Sequence, residues 1–299
     1  MSLPETETKT VHMNDPDALL AAWGRLLETH AHLHAPDAAR MLAVPDSALA
    51  AARIGSGAVR LKPDIDALLA PISEWGRVLC AFSNQCGVHM PLGAVATEPG
   101  EDGAFRLRGT HMRAEIDADA VADAYLFVDR DDSHGNTRSV QFYNAAGAPI
   151  LKVFIFHKTL FEAAERHLTD FKAGDQSRTV RTARPAEGRF DARAASLAED
   201  PLAAPLEDID MRAILADLFG PHAGGGFTVE AVGDHARAVW QGALSGVRMD
   251  ERMFHLHEAD IRSHLRYAPL RRAAKTKAGA VALDGADGRL LRITKGDGR

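Results

Sequence analysis

Two stretches of this chain follow the same plan, and such an internal repeat limits the possible folds more than any other feature of the sequence. The first stretch, residues 139–156, has the pattern of a strand, a tight turn and a second strand, with Gly147 able to take the positive φ of the turn. The second stretch, residues 279–294, repeats the plan after a shift of 141 positions, which places Val281 on Val140. The repeat predicts that one structural unit occurs twice.

A second group of matches occurs at the same shift. Met112, Asp117, Ala118 and Asp119 superpose on Met253, Glu258, Ala259 and Asp260. Because helix signals precede strand signals in each half, the sequence predicts an α+β fold of tandem duplicated units, each with helices packed on a mainly antiparallel sheet. The expected domains are a first unit at 1–170 and a second, diverged unit at 199–299. A linker is expected at 171–198, which is rich in arginine and poor in large apolar residues.

Helix-capping residues precede helical patterns in both halves. Asp15 precedes a pattern at 18–28, and Asp208 precedes one at 209–218. Residues 36–54 also have the outline of a helix-turn-helix. The chain holds 35 Lys and Arg against 41 Asp and Glu, and this net charge of -6 argues against nucleic acid as a partner.

Composition places the chain among ordinary globular proteins. Apolar residues make up 46% and charged residues 25% of the 299 positions, which is enough apolar surface for a sizeable core. No apolar run approaches the roughly 20 residues that a membrane-spanning helix needs. The first residues lack the apolar region of a secretory signal, so we expect a cytoplasmic protein without membrane insertion. Cys80 and Cys86 are then expected to be reduced core residues.

Histidine-rich and basic stretches are the candidate sites that the residues themselves offer. His255, His257, Glu258 and His264 lack the His-Glu-x-x-His spacing of a zinc peptidase, because Ile261 stands three residues after Glu258. A second histidine-rich stretch, at His30, His32 and His34, is expected to form a solvated helix end. The segment 262–277 contains six basic residues and no acidic one. It forms either a solvated basic face or a site for carboxylates or phosphates.

A set of motifs in the first half resembles one known family. In chain order these are Ala38–Val44, Ala48–Gly55, Arg60-Leu61, Gly76–Val78, Asn84, Val88-His89, His111–Arg113, Ser139–Gly147 and Lys152-Val153. The set is similar to the HemS/ChuX haemin-degrading and haemin-transport family, whose second-half motifs resemble residues 232–234 and 250–257 more loosely. The resemblance implies HemS-like units and a cytosolic protein that takes up haem between its two halves.

The resemblance also implies roles for individual residues. Arg113 matches the family's distal arginine, and His89 and His257 match family histidines. Asp210 stands where the family has its iron-binding histidine, and a carboxylate is a poorer partner than imidazole for haem iron. His257, His89 or Tyr267 is therefore expected to replace that ligand, with His257 as the candidate for the iron. Arg266 and its basic neighbours are expected to meet the propionates.

Three functions follow from this resemblance. The leading one is haem binding and trafficking in haem uptake and iron utilisation, with a haem importer or a haem-accepting enzyme as partner. The second is oxidative degradation of haem, which the replacement at Asp210 weakens. The third is a regulator or adaptor that has kept the fold without the cofactor.

Overall fold

A computed structural model shows how the two units are built. It describes residues 15–30, 33, 35–84, 86–100, 103–128, 138–184, 188–190, 204–205, 213, 226–245, 247–251, 253–268, 270, 272–275, 280–285 and 288–295. Within these residues, no helix is both long enough and apolar enough to cross a membrane.

The first unit contains five helices and eight strands among its described residues. The helices are α1 (Pro16–Thr29), α2 (Ala35–Met41), α3 (Asp46–Ala52), α4 (Ile65–Leu69) and α5 (Lys158–Thr169), with short 3₁₀ turns at Ile72–Trp75 and Ala118–Ala120. The strands are β1 (Ala58–Leu61), β2 (Arg77–Ser83), β3 (Gly87–Glu98), β4 (Ala104–Gly109), β5 (Met112–Asp117), β6 (Asp123–Phe127), β7 (Ser139–Tyr143) and β8 (Pro149–Ile155). The predicted cap of α1 is present, since the Asp15 carboxylate accepts a hydrogen bond from the Ala18 N–H at 3.0 Å.

The described residues of the second unit form strands. These are β9 (Ala204–Pro205), β10 (Gly226–Val232), β11 (Ala236–Ala243), β12 (Val247–Met249), β13 (Met253–Glu258), β14 (Ile261–Arg266), β15 (Arg272–Lys275), β16 (Val281–Gly285) and β17 (Gly288–Lys295). Of the predicted helix at 209–218, residue 213 is the one position among the described residues, and it is helical.

The two units have the same strand pairing, and all the pairs are antiparallel. In the first unit β2 lies between β3 and β8, followed by β7, β6 and β1; in the second β10 lies between β11 and β17, followed by β16, β15 and β9. Both hairpins predicted from the sequence are present, as β7–β8 and β16–β17. Their bulges fall at Phe142/Tyr143 and Leu283/Asp284, which are equivalent places under the predicted shift of 141. The predicted α+β duplication is therefore confirmed.

One part of the predicted alignment is wrong. The shift of 141 placed β5 on β13, but hairpin β4–β5 corresponds to hairpin β13–β14, so β5 is equivalent to β14. Met112 and Ile261 begin these strands, so this part of the repeat has a shift of 149. The shift falls from 149 to 141 because the connection before β7, residues 128–138, is longer than the connection before β16, residues 276–280.

The units are joined by two strand pairs in the same register. In the first junction β5 pairs with β11, with Met112 opposite Trp240. In the second β14 pairs with β3, with Ile261 opposite Pro91. The shift of 149 relates Ile261 to Met112 and Pro91 to Trp240. The two junctions are thus related by a pseudo-two-fold axis.

Each unit has its own apolar core, to which the other unit contributes. The first core includes Trp75 and Phe142 together with Ala238 from the second unit. The second includes Phe254 and Trp240 and takes in Cys86 from the first unit. The interior of each unit is therefore completed across a junction.

Helices α2 and α3 correspond to the predicted helix-turn-helix segment, but they are part of the core. All seven residues of α3 are buried, against Tyr125 and Tyr143 of the sheet among others. Lys152 of β8 donates to the Asp46 carboxylate of α3 at 2.5 Å, and both side chains are nearly inaccessible. A recognition helix must present its side chains to a groove of DNA, so α3 does not serve as one.

The described part of the predicted linker packs on the first unit. The Gln176 side chain accepts from the Arg60 N–H at 3.1 Å and donates to the Arg60 carbonyl at 2.8 Å. Val180 is buried, and the Ala183 N–H donates to the Ala145 carbonyl at 2.8 Å. Residues 171–184 therefore follow the surface of the first unit.

Candidate functional site

The strands at and beside the two junctions, which are β3, β4, β5, β11, β13 and β14, form a central sheet. Side chains along these strands alternate between a core side and an open side. On β3, His89, Pro91 and Val95 are buried, whereas the alternate positions are partly or fully exposed. Paired residues of antiparallel strands share a face, so β3 connects the exposed residues of β14 with those of β4. We call this side the open face.

One part of the open face is rich in histidine, and we call it the histidine quarter. It comprises His255 and His257 on β13, Arg262 and His264 on β14, and Val88 and Met90 on β3. His257 lies directly opposite Arg262, and both are exposed. Arg262 lies opposite Met90, which is half-buried. An imidazole, a guanidinium and an apolar side chain therefore form one row across three strands.

The next row of the histidine quarter contains two histidines in contact. His255 and His264 are cross-strand partners, and their Nδ1 atoms are 2.7 Å apart. Such a contact requires one Nδ1 to carry a proton and donate it in a hydrogen bond, which the other Nδ1 accepts. The His255 Nε2 lies 3.4 Å from an Asp250 carboxylate oxygen, and Arg248 lies opposite His255 on β12. This row adds a second cation beside the imidazoles.

The equivalent part of the open face is rich in arginine, and we call it the arginine quarter. It comprises Arg106 and Arg108 on β4, Arg113 and Glu115 on β5, and Arg237 and Val239 on β11. The shift of 149 relates each of these positions to its counterpart in the histidine quarter. Arg108 corresponds to His257 and Arg113 to Arg262.

Carboxylates neutralise most of the arginine quarter. Arg106 binds Glu115 at 2.9 Å, Arg108 binds Glu98 at 2.9 Å, and Arg237 binds Glu230. The Arg113 side chain is exposed and makes no hydrogen bond or ion pair with another described residue. It is the available guanidinium of this quarter within the described chain.

Two contacts mark the limits of the quarters. His111 and Asp260 lie in the turns of the β4–β5 and β13–β14 hairpins, and their side chains meet at 3.8 Å between the two quarters. At the outer end of β14, Arg266 binds Asp37 of α2 at 2.7 Å. Helix α2 therefore borders the histidine quarter.

His89 and Tyr267, both predicted site residues, lie on the core side. The His89 Nδ1 is 2.7 Å from the Ser263 hydroxyl, and burial lowers the pKa of this imidazole to about 3. Tyr267 stacks on the core residue Phe254 with ring centroids 6.1 Å apart. Neither side chain belongs to the open face, whereas Arg113, His257 and Arg266 do.

The other candidate residues give a mixed result. Asp210, His32 and His34 lie outside the described residues. Cys80 and Cys86 are buried free thiols as predicted, and burial raises their pKa to about 12. In the described part of the chain, no three His, Cys, Asp or Glu side chains are arranged to hold a metal ion.

The sequence reasoning missed the pairing of candidate residues across strands. Arg108 and Met90 were not singled out, although each neighbours a predicted residue on the open face. The available signal was alternation in β13 and β14, where His255, His257, Arg262 and His264 alternate with buried residues. Reading these strands as one hairpin would have placed the four side chains together.

The fold and the open face together define a class of protein: a duplicated α+β chain whose units share a central sheet with one exposed polar face. Comparison with known proteins agrees. Residues 43–171 match the family model described as the haemin-degrading HemS.ChuX domain. The first unit is therefore HemS/ChuX-like, and the resemblance stated from the sequence is confirmed.

A curated relative is the hemin transport protein HmuS of Yersinia pestis, which is 27% identical over 144 residues. That alignment covers 48% of this chain and 41% of the relative, so it spans less than half of either protein. Among solved structures, apo-PhuS, a heme-binding protein from Pseudomonas aeruginosa, has a TM-score of 0.76 at 19% identity, covering 94% of both chains. The heme-degrading enzyme ChuS of Escherichia coli O157:H7 has a TM-score of 0.75 at 17% identity, covering 95% of this chain and 96% of ChuS. These structures share the two-unit fold.

Proposed function

We propose that this protein binds haem and carries it within the cytoplasm during haem uptake and iron utilisation. The HemS/ChuX match of the first unit supports the proposal, as do the names of relatives that transport, bind or degrade haem. A haem importer as donor and a haem-accepting enzyme as recipient are the partners that such a role needs.

The single observation that carries the proposal is the cross-strand pair of His257 and Arg262 on the open face. Haem requires an axial ligand for iron, cations for its propionates and apolar contacts for the ring. His257 is an exposed imidazole, and Arg262 places a guanidinium directly beside it. Met90 supplies apolar surface in the same row.

Neighbouring residues complete the proposed haem site. Arg248 adds a second guanidinium for a propionate, and Val88 extends the apolar surface next to Met90. Arg266 is paired with Asp37 at 2.7 Å and borders this site at α2, so a propionate there would have to compete with that carboxylate. Guanidinium groups suit carboxylates because they donate two parallel hydrogen bonds. His257 thus takes the iron in this proposal.

A haemin titration followed by visible absorbance tests the proposal. We expect a saturable shift of the Soret band in the full-length protein and a loss of affinity of about tenfold or more in His257→Ala, because the iron loses its protein ligand. His111→Ala is the matched control, since His111 is also exposed but lies in a hairpin turn outside the histidine quarter. No saturable shift, or equal affinity in both variants, would contradict the proposal.

A second stage of the same titration separates carriage from degradation. After haemin is bound, a reductant and oxygen are added and the Soret band is followed. A stable Soret band supports carriage. A decay to the spectrum of a bile pigment would instead support oxidative ring opening. ChuS is named as a heme-degrading enzyme.

A further inference from the structure

A carboxylate of the protein itself occupies one of the cations beside the proposed haem site. Asp37 of α2 accepts a hydrogen bond from Arg266 of β14 at 2.7 Å, although the two residues are 229 positions apart in the chain. Arg266 lies on the open face, and the side chains of Arg266 and Asp37 are 27% and 37% exposed. A ligand carboxylate can therefore reach Arg266, but only in competition with Asp37.

Asp37 has a second cation on its own helix. Arg40 donates to the same carboxylate oxygen at 2.8 Å, and its side chain is well exposed. If a ligand carboxylate replaces Asp37 at Arg266, the ligand compensates the charge of Arg266 and Arg40 still compensates that of Asp37. The exchange leaves no unpaired charge at the border of the site, so its cost in free energy is small.

The position of this ion pair favours one kind of competing ligand. Arg266 lies four residues beyond Arg262 on β14, which is about 13 Å along the strand. A small free carboxylate makes no further contact there, whereas Asp37 competes at a high effective concentration because it belongs to the same chain. A ligand that is already held at His257 and Met90 gains the same advantage, since its carboxylate is tethered through its ring.

The described part of the arginine quarter has no equivalent of this pair. The shift of 149 relates Arg266 to Asp117, and Asp117 is buried with a carboxylate oxygen 3.3 Å from the His235 Nδ1. A carboxylate therefore takes the place that a guanidinium has in the histidine quarter. The exchange is thus confined to one side of the pseudo-two-fold axis.

We propose that Asp37 is a specificity-determining residue, which keeps small carboxylates away from Arg266 and is displaced by a carboxylate that a bound macrocycle carries. The macrocycle in this proposal rests on the proposed haem site. During binding, the ligand carboxylate takes the place of Asp37 at Arg266, and Asp37 stays paired with Arg40. Helix α2 of the first unit thereby controls a cation of the second unit.

Haemin titrations of Asp37→Asn test the proposal. The variant keeps the size of the side chain but removes the competing charge, so we expect it to bind haemin about three- to fivefold more tightly than the original protein. Haemin dimethyl ester has the same ring and iron but no free carboxylate, and it should bind equally to the two proteins. Excess acetate at constant ionic strength should weaken haemin binding more in Asp37→Asn, because Arg266 is then open to it. A gain in affinity for the ester, or equal effects of acetate, would overturn the proposal.

Asp17→Asn is the matched control for loss of a negative charge. Asp17 of α1 pairs with Arg178 at 2.8 Å, so this variant also breaks an arginine–aspartate pair, but one that does not involve the open face. Its affinity for haemin should be unchanged. Tighter binding in both variants would show a general charge effect, which contradicts the proposal.

A double variant isolates the cation for which Asp37 competes. Arg266→Gln removes that cation, so adding Asp37→Asn to Arg266→Gln should bring no further gain in affinity for haemin. A gain of the same size as in the single Asp37→Asn variant would mean that Asp37 acts on the ligand directly and not through Arg266.

The two proposals fail in different ways. If haemin binding depends on His257 but Asp37→Asn binds no more tightly, the role of Asp37 is wrong and the haem site stands. If Asp37→Asn binds more tightly while His257→Ala leaves the affinity unchanged, the iron ligand is wrong and the role of Asp37 stands. No saturable shift in any variant overturns both. Far-ultraviolet circular dichroism and the melting temperature of each variant confirm that the substitutions leave the fold intact.

Discussion

The position of His89 holds a polar residue in one unit and an apolar residue in the other. The shift of 149 relates it to Ala238, and the two occupy equivalent places in the two junctions. Its partner Ser263 is likewise the counterpart of Ala114 in the other junction. The second junction therefore contains a buried hydrogen bond where the first contains two alanines. A buried imidazole of this kind remains neutral unless the surrounding structure opens.

The neutral state of His89 predicts a loss of stability in acid. Its pKa is about 3 in the folded chain against 6.5 for an exposed histidine. Between these values the unfolded chain binds a proton that the folded chain does not, so the free energy of unfolding falls as the pH is lowered. The expected slope from this residue is about 1.4 kcal/mol per pH unit. Urea denaturation at pH 7, 6, 5 and 4 measures it.

The double variant His89→Ala/Ser263→Ala is the control for the acid prediction, because it gives the second junction the residues of the first. It should be less stable than the original protein at pH 7, and that difference should shrink as the pH falls. Parallel slopes for the two proteins would show that His89 does not titrate as its burial requires.

Sequence reasoning succeeded for residues whose roles are local. The capping carboxylate of Asp15 and the positive φ of Gly147 follow from neighbours within four positions, and both are present. The environment of His89 is set by Ser263, which is 174 residues away, so no local pattern indicates it. The same holds for His257 and Arg262, whose pairing depends on a hairpin that the shift of 141 had misaligned.

Among the elements, the β7–β8 turn shows a close fit between a loop and a helix. Gly147 has a φ of +77°, and a Cβ at this position would collide with Ser47 of α3. Gly147→Ala should lower the free energy of unfolding by about 2 kcal/mol or more, through both backbone strain and the collision. Thermal and urea denaturation measure the change.

Gly24→Ala is the control for Gly147→Ala, because here an added Cβ is expected to stabilise the protein. Gly24 is exposed in α1, and a Cβ there meets nothing within 4 Å. The substitution should raise the free energy of unfolding by about 0.5–1 kcal/mol, because alanine favours the helix. A neutral Gly147→Ala would contradict the proposed contact between turn and helix.

Helix α3 depends on a buried ion pair. Lys152 and Asp46 are only 8% and 5% exposed, so removal of one partner leaves an uncompensated charge in the interior. Asp46→Ala should cost about 3–5 kcal/mol. Glu162→Ala is the control, since its pair with Lys158 is exposed and should contribute less than about 0.5 kcal/mol. Similar losses in the two variants, measured in urea, would be evidence against burial of the Lys152 pair.

The difference between predicted and observed elements has a physical origin. Helices α1, α2 and α3 and the two hairpins were predicted because caps, turns and alternation are local signals, whereas α4 and α5 were not predicted. The equivalence of β5 and β14 was missed because strand pairing conserves register and topology, whereas the loops between strands change length freely. A constant shift along the sequence therefore cannot describe both parts of the repeat.

On the scale of the whole molecule, the shared sheet predicts that the units unfold together. Trp75 lies in the first core and Trp240 in the second, and both are fully buried. Unfolding of one unit would unpair a strand of the other and uncover its core. Variants that retain only Trp75 or only Trp240 should therefore each show a fluorescence transition that coincides with the transition seen by far-ultraviolet circular dichroism. Separate midpoints in either variant would mean that the units unfold independently.

The paired junctions also have the geometry of an isologous interface in a symmetric dimer, in which each subunit offers the same surface to the other. Here the two subunits are parts of one chain. Their association therefore does not depend on protein concentration, and the two copies of the surface are free to diverge in sequence. A homodimer would carry the same residue in both quarters, because one gene would encode them. A single chain can keep Arg108 on one side of the axis and His257 on the other.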